Sequence, residues 1–177
     1  LPEQALGRLR EQLVNLSTQI PESFANLSDV TTLGGQLGIA GDALSDFTKE
    51  VTMFSATTDA TLDQTATGFG RIVQLTNATQ GEFNKVSSSI YQVGVETVAT
   101  ESQVINIAQE IATAGDLAGF TTDQIIGLSG AFASLNIQPE RARGNVLRIF
   151  GQIDKAIGDS GEQLNQWSRL AGMSADE

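Results

Sequence analysis

Sliding the chain along itself by 81 residues lays 24–76 over 105–157, and that overlay restricts the fold to one built by repetition. Gly34 falls on Gly115, Gly38 on Gly119, Asp42 on Asp123 and Thr32 on Thr113. Phe69, Gly70 and Ile72 fall on Phe150, Gly151 and Ile153. These seven identities in 53 positions are supported by apolar class, Val30 with Ile111, Leu44 with Ile125, Phe47 with Leu128 and Phe54 with Leu135. A third start stands at Leu170-Ala171-Gly172-Met173-Ser174-Ala175-Asp176-Glu177, which repeats Leu117-Ala118-Gly119-Phe120-Thr121-Thr122-Asp123-Gln124 almost class for class. The expected organisation is a flanking helix over 1–20, a three-helix unit over 21–78 and a linking helix over 79–100. A second unit over 101–158 and the start of a third over 159–177 complete it.

The units are expected to be helical because apolar residues recur every three or four positions. Leu6, Leu9, Leu13, Leu16 and Ile20 form one stripe, Phe83, Val86, Ile90, Val93 and Val98 a second, and Val146, Ile149, Phe150, Ile153 and Ile157 a third. No segment alternates strictly between turns at hairpin spacing, so an all-α fold is predicted. Nine helices are expected, over 2–18, 21–33, 41–55, 59–75, 81–98, 101–114, 122–135, 139–157 and 161–171. Thr79 with Glu82, Thr100 with Gln103 and Thr121 with Gln124 have capping-box spacing ahead of apolar stripes. Pro21 and Pro139 suit a first helical turn, where a missing N–H leaves nothing unpaired. The opening Leu1-Pro2 and the closing helix-start pattern Ser174 to Glu177 suggest a piece of a longer polypeptide.

Composition removes most chemistry. The chain has neither Cys nor His, which rules out disulfides, the usual zinc sites and any His-activated nucleophile. Neither a metal nor a cofactor is expected. With 10 Lys and Arg against 21 Asp and Glu, the net charge of −11 repels a nucleic-acid duplex, so sequence-specific binding is not expected. No apolar run reaches the length of a membrane span. Glu82, Glu96, Glu101, Glu110 and Glu162 are carboxylates, but no Gly- or aromatic-rich cleft signature surrounds them, and Trp167 is the only Trp. Exposed helix-surface acids are the expectation, and no enzyme.

The remaining candidates are glycines and arginines. Gly34 with Gly38, and Gly115 with Gly119, are read as turn elements, one glycine ending a helix left-handed and the next opening the loop. Gly127 and Gly130 fall inside a helix at roughly 1 kcal/mol each against Ala, which points to a close crossing on the Gly127, Gly130, Ala131, Ser134 side. Gly172 belongs to the third Leu-Ala-Gly turn. Arg141, Arg143 and Arg148 crowd together on an acidic chain. They read either as an anchor for phosphate or an acidic partner, or as a solvated face paired with neighbouring acids.

Two stretches carry a family resemblance. Pro21-Glu22-Ser23-Phe24-Ala25-Asn26-Leu27 leads to Gly38-Ile39-Ala40-Gly41-Asp42-Ala43-Leu44, and Ala108-Gln109-Glu110-Ile111-Ala112-Thr113-Ala114-Gly115 leads to Leu135-Asn136-Ile137. With the second Leu-Ala-Gly turn and its cap, they resemble the core region of tail tape measure proteins of long-tailed phages and prophages, over roughly 20–177. The resemblance implies a virion protein of the tail, assembled in the host cytoplasm and lying in the tube lumen or at the tip. It implies self-association in a few copies, a trimer being one such arrangement, with tail-tube and tail-tip proteins as partners. It implies a ruler for tube assembly that leaves ahead of the DNA. Some members carry peptidoglycan-cleaving domains elsewhere. A chain without His and Cys is not of their metallopeptidase type. The competing expectation is a cellular helical-repeat module that binds a protein partner.

Overall fold

A computed structural model describes residues 3–158 apart from 21, 40, 42 and 77. Among the described residues there are eight helices and no strand, so the all-α expectation holds. The helices are α1 Glu3–Gln19, α2 Phe24–Gln36, α3 Ala43–Thr57, α4 Leu62–Leu75, α5 Phe83–Glu96, α6 Glu101–Leu117, α7 Thr122–Ser134 and α8 Pro139–Gly158. The ninth expected helix, 161–171, the third unit and Gly172 lie outside the described residues, as does Pro21. Pro139 opens α8 as expected, whereas α2 begins three residues after 21 and is capped by Ser23, which accepts from the Asn26 N–H at 3.1 Å.

Helices pack only on near neighbours in sequence. The odd-numbered helices form one layer, α1 on α3, α3 on α5 and α5 on α7. The even-numbered ones form a second layer, α2 on α4, α4 on α6 and α6 on α8. Successive helices connect the layers as far as α7, with α6 lying on both α5 and α7, while α8 is held chiefly by α6. The result is a stack of four helical hairpins. Odd helices start at 3, 43, 83 and 122, and even helices at 24, 62, 101 and 139. The structural period is therefore 38 to 40 residues; two periods come to 77 to 80, so the 81-residue overlay of the sequence runs one to four residues past them. On this pattern α5, read from sequence as a linking helix, occupies the same place in its hairpin as α1 and α3. One apolar cluster runs across the expected units, from Val30 and Phe47 through Phe83 and Ile105 to Val146.

Local chemistry sets the connectors. Three of them share the pattern Thr-x-Ala-Thr-x-x-Gln/Glu, at 58–64, 76–82 and 97–103. In each, the first Thr hydroxyl bonds back to a carbonyl four residues earlier, Phe54, Ile72 or Val93. The same hydroxyl then accepts from the Ala N–H, at 3.3, 3.4 and 3.1 Å. The orphan carbonyls that end one helix and the orphan amides that begin the next are thus served within seven residues. At Thr61 and Thr100 the capping box is complete. Thr79 differs: its N–H donates to Glu82, but the Glu82 N–H returns to the Thr79 carbonyl, and α5 starts only at Phe83.

The α2–α3, α6–α7 and α7–α8 connectors use left-handed turns. Gly38 and Gly119 both have φ +81°, and Asn136 has φ 54°. The Ile39 N–H reaches the Gly34 carbonyl at 3.0 Å and the Phe120 N–H reaches that of Gly115 at 2.9 Å, which closes a Schellman motif at each.

Candidate functional site

The glycines of the sequence divide into three physical groups. Gly38 and Gly119 supply the left-handed residue, as a side chain there would be strained. Gly34 and Gly115 are not the left-handed residues expected at the helix end; both sit in the last turn of a helix, are buried, and lend their carbonyls to the Schellman bonds. A Cβ on Gly34 would lie 2.8 Å from the Phe47 ring, and one on Gly115 would lie 2.6 Å from Ile125 Cγ1. These two glycines let α2 meet α3 and α6 meet α7 at backbone distance. Leu44, also against Gly34, and Ile125 are the very pair matched by the overlay. Gly130 is buried against Val93 of α5, so the expected close crossing exists there. Gly127 is a correction. It and Ala131 are exposed, with nothing within 4 Å of a Cβ at Gly127, which lies about one turn nearer the start of α7 than the Val93 contact. Gly68 against Ile105 and Gly94 against Glu101 are further crossings that the sequence reading did not single out.

The arginines stand apart from one another in role. Arg141, Arg143 and Arg148 are all exposed on α8, and Arg143 reaches Glu110 of α6 at 4.0 Å. That pair fits the solvated-face reading for Arg143 and joins two helices of one layer.

Several of the carboxylates have local partners. Glu82 pairs with Lys85 and accepts from the Thr79 N–H at 2.8 Å. Lys85, and then Thr79, hold its carboxyl down at about 2. Glu96 accepts from Gln92 at 2.9 Å, and Glu162 lies outside the described residues. Asp59 joins the α3–α4 turn to the start of α6, accepting from the Ser102 N–H at 3.0 Å and its hydroxyl at 2.6 Å. Burial alone would raise this carboxyl, but the Ser102 and Thr100 hydrogen bonds prevail and lower it. Among the described residues no group of three or more potential ligands could hold a metal, and no helix is long and apolar enough to cross a membrane.

What the surface does offer is apolar relief. A hollow of about 370 Å³ between α1 and α3 is lined by Leu16, Ile20, Lys49 and Met53. A second, of about 300 Å³ between α3 and α5, is lined by Met53, Phe54 and Tyr91. They adjoin across Met53 and Thr57, forming a groove along the odd-numbered layer. Such a surface suits contact with other proteins better than chemistry on a small molecule.

A family model described as phage-related minor tail protein matches residues 10–176. The chain belongs to the phage-related minor tail protein family. Neither the curated proteins nor the solved structures yield a match. The minor tail protein is thus a component of the phage virion tail with a structural role, and its partners are tail proteins.

Proposed function

We propose that this chain is a structural segment of a tail tape measure protein, which sets tail length during tube assembly and is released ahead of DNA during genome ejection. The observation that carries this reading is packing restricted to sequence neighbours. A stack of this kind grows in length with each added hairpin while its cross-section stays the same, which is what a ruler requires. The sequence resemblance over roughly 20–177 and the family membership support it. On this reading the protein acts with a few copies of itself, three for instance, and with tube and tail-tip proteins, in the lumen or at the tip. A net charge of −11 keeps it from adhering to DNA that later occupies the same tube.

The competing reading, a cellular helical-repeat module, draws on the same stack and on the groove around Met53. Membership of a tail family favours the ruler. An in-frame deletion of residues 62–100, one even-to-even period, tests it in the phage that carries the gene. Tails imaged by electron microscopy should shorten by between about 10 Å, one packed helix spacing, and about 58 Å, the same residues as one straight helix. Infectious tails of unchanged length would refute the ruler.

A further inference from the structure

We propose that α1 is a detachable strap, which leaves its place on α2 and α3 as a unit while α2–α8 stay packed. The apolar interior of the molecule is interrupted at this helix. Leu13, Leu16 and Leu27, with Leu9 and Ile20 at their margin, form a small core of their own. Among the described residues α1 reaches the main cluster only through Leu9, which is half-buried. Each of the other seven helices places buried side chains in that cluster, α2 through Val30 and α8 through Ala142 and Val146. The α1 core can therefore open without opening the main one.

The contacts that lock the other helices together are missing from α1 as well. Its one glycine, Gly7, faces open space, and it contains no aromatic residue. The side-chain hydrogen bonds of Ser17, Thr18 and Gln19 all return to α1 itself. By contrast, α2 is held by Gly34 against Phe47 and by the Thr31–Thr48 hydroxyl pair at 2.8 Å. α8, at the far side of the stack, is held by Arg143 on Glu110 and by the Phe150 ring edge-on to Phe120.

The two sides of α3 show the same asymmetry. Toward α5 it presents Phe47, edge-on to Phe83 with ring centroids 5.0 Å apart. Toward α1 it presents Lys49, Met53, Ala56 and Thr57, which line a hollow of about 370 Å³ instead of a filled contact. A helix of 17 residues with an interior glycine is marginal in water once its packing is lost, so release and unfolding of α1 coincide. Few buried apolar contacts place it at the low end of local opening free energy. Its departure bares Leu27 and the Met53 side of α3, which lengthens the groove that runs on to Tyr91. The strap thus governs how much apolar surface the odd-numbered layer presents, and from this side the first step of opening is shorter than a hairpin.

Amide hydrogen exchange of the unmodified chain, resolved by residue, tests the proposal. The amides of residues 9–19 should share one protection factor, at least tenfold below those of residues 28–36 in α2 and 143–150 in α8. The chain has no Cys, so a single introduced thiol gives a second measurement. Leu27→Cys, on the α2 side that α1 covers, should react with a thiol reagent under native conditions at least tenfold faster than Val146→Cys in the main core. If either variant fails to fold, exchange in the unmodified chain still decides. Protection of α1 equal to that of α2 would overturn the proposal, whether both are high or both are low. So would protection that rises steadily from residue 9 to residue 19, which is fraying of a helix end and not release of a unit.

Discussion

Two glycines on one helix, three residues apart, allow the packing argument to be tested with its main confounder cancelled. Gly127 and Gly130 both lie in the interior of α7, so replacing either with Ala gains the same helix propensity, roughly 0.5–1 kcal/mol. At Gly127 a Cβ meets nothing within 4 Å, so that gain should appear whole as stabilisation. At Gly130 the new methyl runs into Val93 Cγ1, and a valine on a helix has one strongly preferred rotamer and cannot swing aside. The α5–α7 crossing must then open, an overpacking penalty of about 1–3 kcal/mol. The two variants should therefore differ by about 1–3 kcal/mol, roughly 2–12 °C in Tm for a chain of this size. Thermal unfolding followed by far-UV circular dichroism, with the parent alongside, measures both shifts. Equal stabilisation by the two substitutions would refute the claim that Gly130 is kept small by its contact with α5.

Thr100→Ala removes a complete capping box and should lower stability by about 1 kcal/mol in urea unfolding. Thr79→Ala should cost less, since the Thr79 hydroxyl accepts no N–H at the start of α5. Ile111→Ala, at a fully buried position, should cost about 2–5 kcal/mol, against within about 0.5 kcal/mol for Val98→Ala on the surface. Glu82, held down at about 2, binds its proton less readily folded than unfolded, so its stabilising effect is present above the ordinary glutamate range and fades as pH falls through that range toward 2. The parent should accordingly be more stable than Glu82→Gln at neutral pH, and the two should converge near the bottom of that window. A gap that persists there would show that Glu82 acts through packing and not through its charge.

The helices were readable because their signals are local. Stripes at three and four residues, Thr100 with Gln103, Thr121 with Gln124 and Pro139 at a first turn each specify a helix without reference to the rest of the chain. The period was harder to see. Its true length of 38 to 40 residues preserves burial at the fourth and eighth positions of the even helices, but the residues filling the fourth, Leu27, Thr65, Val104 and Ala142, differ in size and polarity. A thin layer accepts any residue that fits the local gap, so identity fades while geometry remains. The repeated Thr-x-Ala-Thr-x-x-Gln/Glu connector was the available signal, because its hydrogen bonds admit few substitutes. Matched residues can also mislead. Phe69 and Phe150 coincide in the overlay, yet Phe69 stacks edge-on to Phe54 and Phe150 to Phe120. The glycine roles depended on which residue of a neighbouring helix crosses them, and that is not specified by spacing along one helix.

Packing restricted to neighbouring helices also fixes how the molecule yields to a pull. Among the described residues α1 and α2 share no packed interface with α7 or α8, so tension on one end is borne by one hairpin boundary at a time. The force needed to peel off a hairpin is set by that interface alone and does not rise with the number of hairpins behind it. A globular domain whose terminal segments pair with each other would have to break as a whole. This chain instead unravels from an end in steps of about 40 residues, and a narrow opening need admit only one hairpin's worth of unwound chain at each step.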